Sequence, residues 1–265
     1  MSLSQSRTRL IARLRSRKSR TREGRVLVEG IRAVAEALNA GARPAFAVTS
    51  PRLRESPAGR SLDDRLGELD RVEIGDAELS GLGDTEHPQG VLLVCHEPDA
   101  GDDELPPGGL FLVLDAVQDP GNVGTLVRSA VAFGFDALLC LDGTGDPWSA
   151  KAVRASAGMV FRLPVVATSA ARATERLGAL GVPILVASSE GEPVGASLGT
   201  AREPGTSGAR RGLALVVGNE GVGVRAEIRA VADSVVAVPM SGPAESLNVG
   251  IAGAVLMYDI ARTRG

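Results

Sequence analysis

The chain of 265 residues has little cysteine, histidine or aromatic side chain. Its two cysteines, Cys95 and Cys140, each lie in an apolar run, so we expect buried free thiols, as in proteins of a reducing compartment. The two histidines, His87 and His96, share no zinc-ligand spacing with the cysteines, so no metal is predicted. Aromatic residues make up only 3% of the chain, which argues against nucleic-acid binding by a stacking platform.

Long apolar runs are also missing from the sequence. No stretch reaches the roughly 18 consecutive apolar residues that a membrane-spanning helix needs. Met1 is followed by polar and basic residues, whereas a signal peptide would have an apolar segment there. We therefore expect a soluble cytoplasmic protein with no membrane partner.

Charge is distributed unevenly along the chain. Residues 1–25 hold nine lysines and arginines against one acid, whereas the net charge of the whole chain is −3. A basic arm on an otherwise acidic chain is typical of proteins that bind polyanions, although a solvated tail is the alternative. The candidate nucleic-acid contacts in this arm are Arg15, Arg17, Lys18, Arg20 and Arg22.

Apolar and polar periodicity divides the rest of the chain into two α/β segments. After the basic arm (1–24), residues 25–97 alternate short strands with amphipathic helices, which predicts a small α/β domain. Residues 98–109 are acidic, rich in proline and glycine and without periodicity, which marks a linker. From 110 to 265 the strands are continuous valine, leucine and alanine runs, typical of a parallel sheet that is covered on both faces.

Three predicted strands of the second segment end in polar loops that contain glycine. These loops read "DPGNVGTLVRSA" (119–130), "GNEGVGV" (218–224) and "PMSGPAESLNVG" (239–250). Ligands of open parallel sheets bind beyond the carboxyl ends of the strands, so the loops favour one shared site. Taken singly, each has a simpler interpretation as an Asx-capped helix start with a surface arginine, a glycine-rich turn or a capped helix.

The second loop does not match a nucleotide-binding fingerprint. Its order is G-x-x-G-x-G rather than G-x-G-x-x-G, and it lacks the lysine and serine or threonine of a P-loop. Glu220 also stands where a pyrophosphate would need uncharged backbone. A dinucleotide-dependent oxidoreductase is therefore disfavoured.

The last helix begins with more hydrogen-bonding side chains than its capping requires. Glu245 or Ser246 is predicted to cap the helix, with Asn248 in its first turn. One such residue would suffice for capping, so the others are candidates for a functional site.

Together and in this order, the three loops resemble the three motifs of the SpoU (TrmH-like) branch of the SPOUT RNA methyltransferases, which methylate ribose 2′-hydroxyls. The resemblance covers Leu110–Arg262, and residues 17–94 are more loosely similar to the small RNA-binding domain that often precedes it. It implies a deep trefoil knot in the parallel sheet, a homodimer, S-adenosylmethionine as the cofactor and ribosomal RNA as the favoured substrate. Transfer RNA is the alternative substrate, and a non-catalytic RNA-binding protein with the same fold is the alternative function.

Position in the motifs assigns expected roles to individual residues. The resemblance implies cofactor contacts at Gly218, Val238, Met240, Gly242 and Leu247. It implies polar catalytic positions at Asn122, Arg128, Glu220, Ser246 and Asn248. The family implicates Arg128 in activating the ribose hydroxyl, but an arginine stays protonated in ordinary surroundings. Orienting the ribose or phosphate and stabilising developing oxyanion charge is an equally good interpretation.

Two features of the second segment depart from the rest of this pattern. Gly250 stands where relatives often carry serine, and we expect it to affect packing more than chemistry. The polar excursion at 199–212 is long, and it is either an RNA contact or a mobile loop.

Overall fold

The computed structural model describes residues 2–85, 87–98, 105–199 and 212–264. The chain divides into two compact units, Met1–Asp99 with Asp146–Arg162, and Ala100–Gly145 with Leu163–Gly265. Most of the excursion at 199–212 lies outside the described residues. Across the described ranges, none of the helices has both the length and the apolar character needed to cross a membrane.

The first unit is a small α/β fold around a four-stranded sheet. Its elements in chain order are α1 (Gln5–Leu14), α2 (Arg17–Glu23), β1 (Arg25–Glu29), α3 (Ile31–Asn39), β2 (Pro44–Thr49), α4 (Pro57–Arg65), β3 (Arg71–Glu73), α5 (Asp76–Leu82) and β4 (Val91–His96). The strand order is β1-β4-β2-β3. Strand β4 runs antiparallel to both of its neighbours, and β2 and β3 are parallel.

The second unit is built on a six-stranded sheet in which every pairing is parallel. The elements that follow β4 along the chain, of which all but α7 belong to this unit, are β5 (Leu110–Asp115), α6 (Pro120–Ala132), β6 (Ala137–Leu141), α7 (Ala150–Ala155), β7 (Val165–Thr168), α8 (Ala170–Ala179), β8 (Ile184–Pro193), α9 (Val194–Gly199), β9 (Leu213–Gly218), α10 (Ala226–Arg229), β10 (Ser234–Ala237) and α11 (Val249–Arg264). The strand order is β10-β8-β9-β5-β6-β7. This confirms the predicted fold class of a parallel α/β sheet preceded by a smaller α/β unit, whereas the knot stays a prediction.

Residues 146–162, which include α7, group with the first unit although they lie between β6 and β7 in sequence. Glu29 of β1 is only 3% exposed, and its carboxylate pairs with Arg154 of α7 at 3.4 Å. A Cβ atom at Gly158 would lie 2.6 Å from the carbonyl oxygen of Ala33. The segment therefore packs directly on the backbone of α3, a grouping that periodicity does not reveal.

The basic arm is folded into the first unit. The side chains of Ser4 and Ser16 cap α1 and α2 by accepting backbone N–H groups, and Gly24 ends α2 with a φ of +59°. The apolar face of α1 lies in the same core as residues of β1, β2 and β4. That face consists of Leu10, Ile11 and Leu14. Burial of this face excludes the solvated-tail alternative for the helical part of the arm.

The second unit packs closely at α11 because this helix carries glycine where it meets α6. A Cβ atom at Gly253 would lie 2.3 Å from the Cδ2 atom of Leu126. A Cβ atom at Gly250 would lie 3.3 Å from the Cγ2 atom of Thr125. A serine at Gly250 would therefore crowd α6, in line with a packing role for this position.

Both cysteines are free and buried, as predicted from the apolar runs around them. Cys95 lies in β4, at the centre of the first unit's sheet. Burial raises the pKa of its thiol from 9.0 to about 12. The thiol is therefore a packing group at neutral pH.

Candidate functional site

The loops after β5, β9 and β10 lie at one edge of the parallel sheet. Strands β5 and β9 are neighbours with Asp115 opposite Gly218, and β10 pairs with β8, the strand on the other side of β9. The loops after β9 and β10 enclose a cavity of about 450 Å³. Four of the predicted cofactor contacts line it, and Gly242 does not. These four are Gly218, Val238, Met240 and Leu247.

Gly218 ends β9 at a point where the chain folds tightly back on itself. A Cβ atom there would lie 2.3 Å from the carbonyl carbon of Gly223 and 2.4 Å from the backbone nitrogen of Val224. Asn219 and Gly223 close this turn with backbone hydrogen bonds in both directions, at 3.1 and 2.9 Å. Because the atoms in the way belong to the backbone, any larger residue at 218 would displace the loop that forms the cavity wall.

A chain of side-chain hydrogen bonds joins the three loops. The Nδ2 atom of Asn122 donates to the Oε1 atom of Glu220 at 3.0 Å, and the Nδ2 atom of Asn248 donates to the Oδ1 atom of Asn122 at 3.0 Å. Glu220 and Asn248 also line the cavity. Three of the five predicted polar positions are thus brought together, one from each loop.

The start of α6 fixes Asn122 in this chain. Asp119 caps the helix, since its Oδ1 atom accepts from the backbone N–H groups of Gly121 at 2.7 Å and Asn122 at 3.1 Å. Pro120 occupies the first helical position, where its fixed φ suits the helix and its missing N–H costs nothing. The sequence D-P-G-N therefore places Asn122 in the first turn, at the sheet edge.

The structure corrects the predicted cap of the last helix. Helix α11 begins at Val249, and the Oδ1 atom of Asn248 accepts from the N–H groups of Gly250 at 2.9 Å and Ile251 at 3.3 Å. The two candidates, Glu245 and Ser246, precede the helix by several residues and are exposed. Asparagine serves here because its amide oxygen caps the helix while its amide nitrogen still donates to Asn122.

Arg128 and Ser246 stand apart from the chain of hydrogen bonds. Arg128 lies on the exposed side of α6, does not line the cavity, and has no hydrogen bond or ion pair to any residue within the described ranges. Ser246 is exposed and lines the cavity. Both side chains are therefore accessible to a ligand that approaches the mouth of the site.

A buried ion pair beneath the site escaped the sequence analysis. Asp115, at the end of β5, is 1% exposed and accepts from the backbone N–H and the Nε atom of Arg225, at 2.8 and 2.6 Å. The Nη2 atom of Arg225 also donates to the carbonyl of Asp142, at 3.0 Å. The hydrogen bond to Asp115 raises the pKa of Arg225 above its ordinary value. The sequence does show an aspartate at the end of an apolar strand, which could have indicated a buried charge. Its partner could not be identified, because Arg225 lies 110 residues further along the chain.

The five predicted nucleic-acid contacts differ in exposure. Arg20 is 4% exposed, donates to two backbone carbonyls at the end of α1 at 2.6 and 2.9 Å, and pairs with Asp146. This corrects the prediction for Arg20, because a buried guanidinium with its donors engaged cannot reach a phosphate. Arg15 is exposed but donates to carbonyls at the end of α5 and pairs with Asp84 at 3.1 Å. The remaining three are exposed on α2: Arg17, Lys18 and Arg22.

The arrangement suits the positioning of a ligand. The residues that form the cavity wall include no cysteine, lysine or histidine. In the part of the chain that the structure describes, no cluster of three or more acidic, histidine or cysteine side chains could hold a metal ion. The site offers a shaped cavity beside amide and carboxylate groups that are hydrogen-bonded to one another, with the exposed Ser246 hydroxyl on the cavity wall.

Comparison with known proteins covers both units. Residues 109–258, which contain all three loops, match the sequence model of the SpoU rRNA Methylase family. Residues 5–93 match that of the MRM3-like substrate binding domain. The 23S rRNA (guanosine(2553)-2′-O)-methyltransferase RlmP of Bacillus subtilis (strain 168) is 33% identical over 94% of this chain and 93% of its own length. The mitochondrial rRNA methyltransferase 3A of Danio rerio is 38% identical over 57% of this chain and 35% of its own.

Solved structures agree with these matches over the whole chain. The SpoU methyltransferase AviRb from Streptomyces viridochromogenes, in complex with AdoMet, superposes with a TM-score of 0.83 at 26% identity and covers 98% of both chains. The AdoMet-bound rRNA methyltransferase from Sinorhizobium meliloti superposes with a TM-score of 0.80 at 26% identity, over 99% of this chain and 96% of its own.

Proposed function

Because the chain belongs to the SpoU rRNA methylase family, we propose that it transfers a methyl group from S-adenosylmethionine to a ribose 2′-hydroxyl of ribosomal RNA. The observation that carries this proposal is the set of hydrogen bonds that joins the three motif loops beside one cavity. A relative of nearly the same length that is named as a 23S rRNA 2′-O-methyltransferase supports the substrate. The cytoplasm would be its location, because the relative of nearly the same length comes from a bacterium.

The cavity fits S-adenosylmethionine in size and in composition. Its volume of about 450 Å³ lies within the roughly 300–1,000 Å³ of small-molecule sites. Backbone groups at Gly218 and the apolar side chains of Val238, Met240 and Leu247 would hold the cofactor, with Gly242 in the same loop. Bound there, the cofactor supplies an electrophilic methyl group for in-line attack by an oxygen.

The side chains around the cavity would hold the ribose in place for that attack. Asn122 and Asn248 are fixed by their bonds to each other and to Glu220, so their orientations are set before RNA arrives. Positioning of this kind is a large part of what a two-substrate transfer requires. Ser246, exposed on the cavity wall, offers a hydroxyl to the incoming nucleotide.

Arg128 would act on the developing charge. Its exposed guanidinium is free of bonds to the rest of the described chain. In the transfer an O–CH3 bond would form and the S–CH3 bond would break, which releases neutral S-adenosylhomocysteine. The 2′-hydroxyl proton would pass to solvent, and its loss puts negative charge on the 2′-oxygen. A guanidinium held near the ribose or its phosphate lowers the energy of this state.

The functional form would be a homodimer in which a second copy covers α11. Ile251 and Tyr258, seven residues apart, share one face of this helix and are 53% and 51% exposed. Exposed apolar side chains of this size along one helix face support a protein partner. Sedimentation equilibrium tests this part of the proposal, and a monomer at micromolar concentration would contradict it.

Mapping of ribose methylation in RNA from cells with and without the gene tests the proposed reaction and substrate. We expect one 2′-O-methyl group to disappear from ribosomal RNA when the gene is removed. Loss of a methyl group from transfer RNA alone would support the proposed reaction but would show that transfer RNA, not ribosomal RNA, is the substrate. An unchanged methylation map in both RNAs would contradict the proposal.

A further inference from the structure

Three adjacent strands of the first unit carry basic side chains at the same edge of their sheet. Arg25 opens β1 opposite His96, the last residue of β4. The N–H of His96 donates to the carbonyl of Arg43, which directly precedes β2, at 2.9 Å. Neighbouring strands lie about 4.8 Å apart, so the backbone positions of the three residues span about 10 Å. We call Arg25, Arg43 and His96 the strand-edge cluster.

The two arginines of the strand-edge cluster have no acidic partner. Within the described ranges, neither the Arg25 nor the Arg43 side chain forms an ion pair or hydrogen bond, and both are at least partly exposed. The acids at the opposite edge of the same sheet are paired instead, Glu29 with Arg154 at 3.4 Å and Glu73 with Arg54 at 2.7 Å. Unpaired cations at one edge create a positive potential that attracts anions.

The nearest acid in sequence, Glu97, does little to neutralise the strand-edge cluster. It is partly buried and lies close to Asp146 and to the buried Arg20. Burial, and after it the charge of Asp146, raises the pKa of Glu97. Its half-buried carboxylate thus interacts with the charges of Asp146, Arg20 and Arg17.

The strand-edge cluster continues the exposed basic face of α2. Lys18 and Arg22 are four residues apart, so they share one side of that helix, and both are exposed, with Arg22 paired to Glu23 at 3.1 Å. Gly24 ends α2 and leads directly into Arg25. The basic surface therefore runs from α2 along the sheet edge, beyond the arm that the sequence marked as basic.

We propose that the strand-edge cluster binds the phosphate backbone of the RNA substrate, an inference that rests on the proposed function. Guanidinium groups match phosphate oxygens with paired N–H donors, which favours phosphate as the ligand. Its only aromatic ring is the imidazole of His96, and it has none of the larger rings of a stacking platform. The contact therefore contributes affinity and register on the RNA without reading its sequence.

A matched pair of double variants tests the proposal in the full-length protein. Arg25→Gln with Arg43→Gln removes two charges from the cluster, and Arg60→Gln with Arg65→Gln removes two exposed charges from α4 of the same unit. Binding of ribosomal RNA fragments is measured by filter binding from 50 to 300 mM salt. We expect the cluster variant to bind about tenfold more weakly at 150 mM salt. Its slope of log affinity against log salt should be smaller by about 1.5, while the control stays within twofold of the wild type.

Equal affinity losses in both double variants, or an unchanged affinity and slope in the cluster variant, would overturn the proposal. Should the cluster variant fail to fold, the single variants Arg25→Gln and Arg43→Gln should each show about half of the change in slope. The binding assay does not depend on methyl transfer. An absence of methylation by the wild type would therefore count against the proposed function alone.

Discussion

The amide nitrogen of Asn248 donates a 3.0 Å hydrogen bond to the amide oxygen of Asn122, which lies 126 residues earlier in the chain. The amide oxygen of the same Asn248 caps α11, while the amide nitrogen of Asn122 donates to Glu220. Each amide group therefore has a single orientation that satisfies its partners. Through these hydrogen bonds the two asparagines join the three loops at one site.

Replacement of Asn248 by aspartate should keep the cap of α11 but remove the hydrogen bond to Asn122. The carboxylate still accepts hydrogen bonds from the N–H groups of α11. Its second oxygen, however, faces the amide oxygen of Asn122, and two acceptors cannot form a hydrogen bond. A flip of Asn122 would restore that contact only by giving up the bond to Glu220. We expect kcat to fall at least tenfold with little change in melting temperature, whereas Asn248→Ala also costs about 1 kcal/mol of stability through the lost cap. Wild-type kcat in Asn248→Asp would contradict this role.

The ion pair of Asp115 and Arg225 should hold the loop after β9 in place. Arg225→Ala leaves a buried carboxylate with only the backbone N–H of residue 225, which predicts a loss of about 3 kcal/mol in the free energy of unfolding. Arg229, the last residue of α10, donates to Ser188 at the exposed surface, so Arg229→Ala should change stability by less than about 0.5 kcal/mol. Urea unfolding of both variants gives the comparison. Equal stability of the two would show that the buried pair contributes nothing.

Gly218 should control the affinity for S-adenosylmethionine through the shape of the cavity wall. In Gly218→Ala the new methyl group would overlap the backbone of Gly223 and displace the loop. We expect calorimetry to show at least a tenfold rise in the Kd for the cofactor. Gly221→Ala is the control in the same loop, because its nearest neighbour would be the Oδ1 atom of Asn219 at 3.5 Å. A control that loses as much affinity as Gly218→Ala would refute the steric explanation.

Cys95 should be unreactive while the protein is folded. With a pKa of about 12, only about one thiol in 10⁴ is ionised at pH 8. In a Cys140→Ser background, an aromatic disulfide reagent should therefore label Cys95 only after unfolding. Because the folded pKa lies above the unfolded one, the folded state keeps this proton as the pH rises. The resulting contribution to stability is complete below about pH 9 and declines between about pH 9 and pH 12. Rapid labelling of the folded protein at pH 8 would contradict this burial.

The parts of the molecule that sequence predicts well are those with a continuous local signal. Strands β5 and β9 are such a case, because each is an unbroken apolar run that ends where the chain turns, at Asp115 and at Gly218. The carboxyl ends of parallel strands share one edge, so the meeting of the three loops also follows from their positions along the chain. The resemblance to the SpoU family, which depends on these loops, is confirmed by the family match.

What the sequence does not reveal depends on partners far away in the chain. The pattern of charge cannot distinguish the buried Arg20, paired with Asp146, from the exposed Lys18 two residues earlier. The cap of α11 was misplaced because Ser246 and Asn248 are both good capping residues, and the choice depends on the bond to Asn122. Charge arithmetic along the first 25 residues likewise missed Arg43, which only the pairing of β2 with β4 brings beside the arm.

The most direct test of the account is the rate at which purified wild type and Arg128→Ala transfer a labelled methyl group from S-adenosylmethionine to unmodified ribosomal RNA, with the modified nucleotide mapped. We predict label on a single ribose 2′-oxygen for the wild type. For Arg128→Ala we predict a rate at least about 100-fold lower, with unchanged cofactor Kd and melting temperature. Label on a base, no label in ribosomal RNA, or an equal rate for the variant would contradict the account.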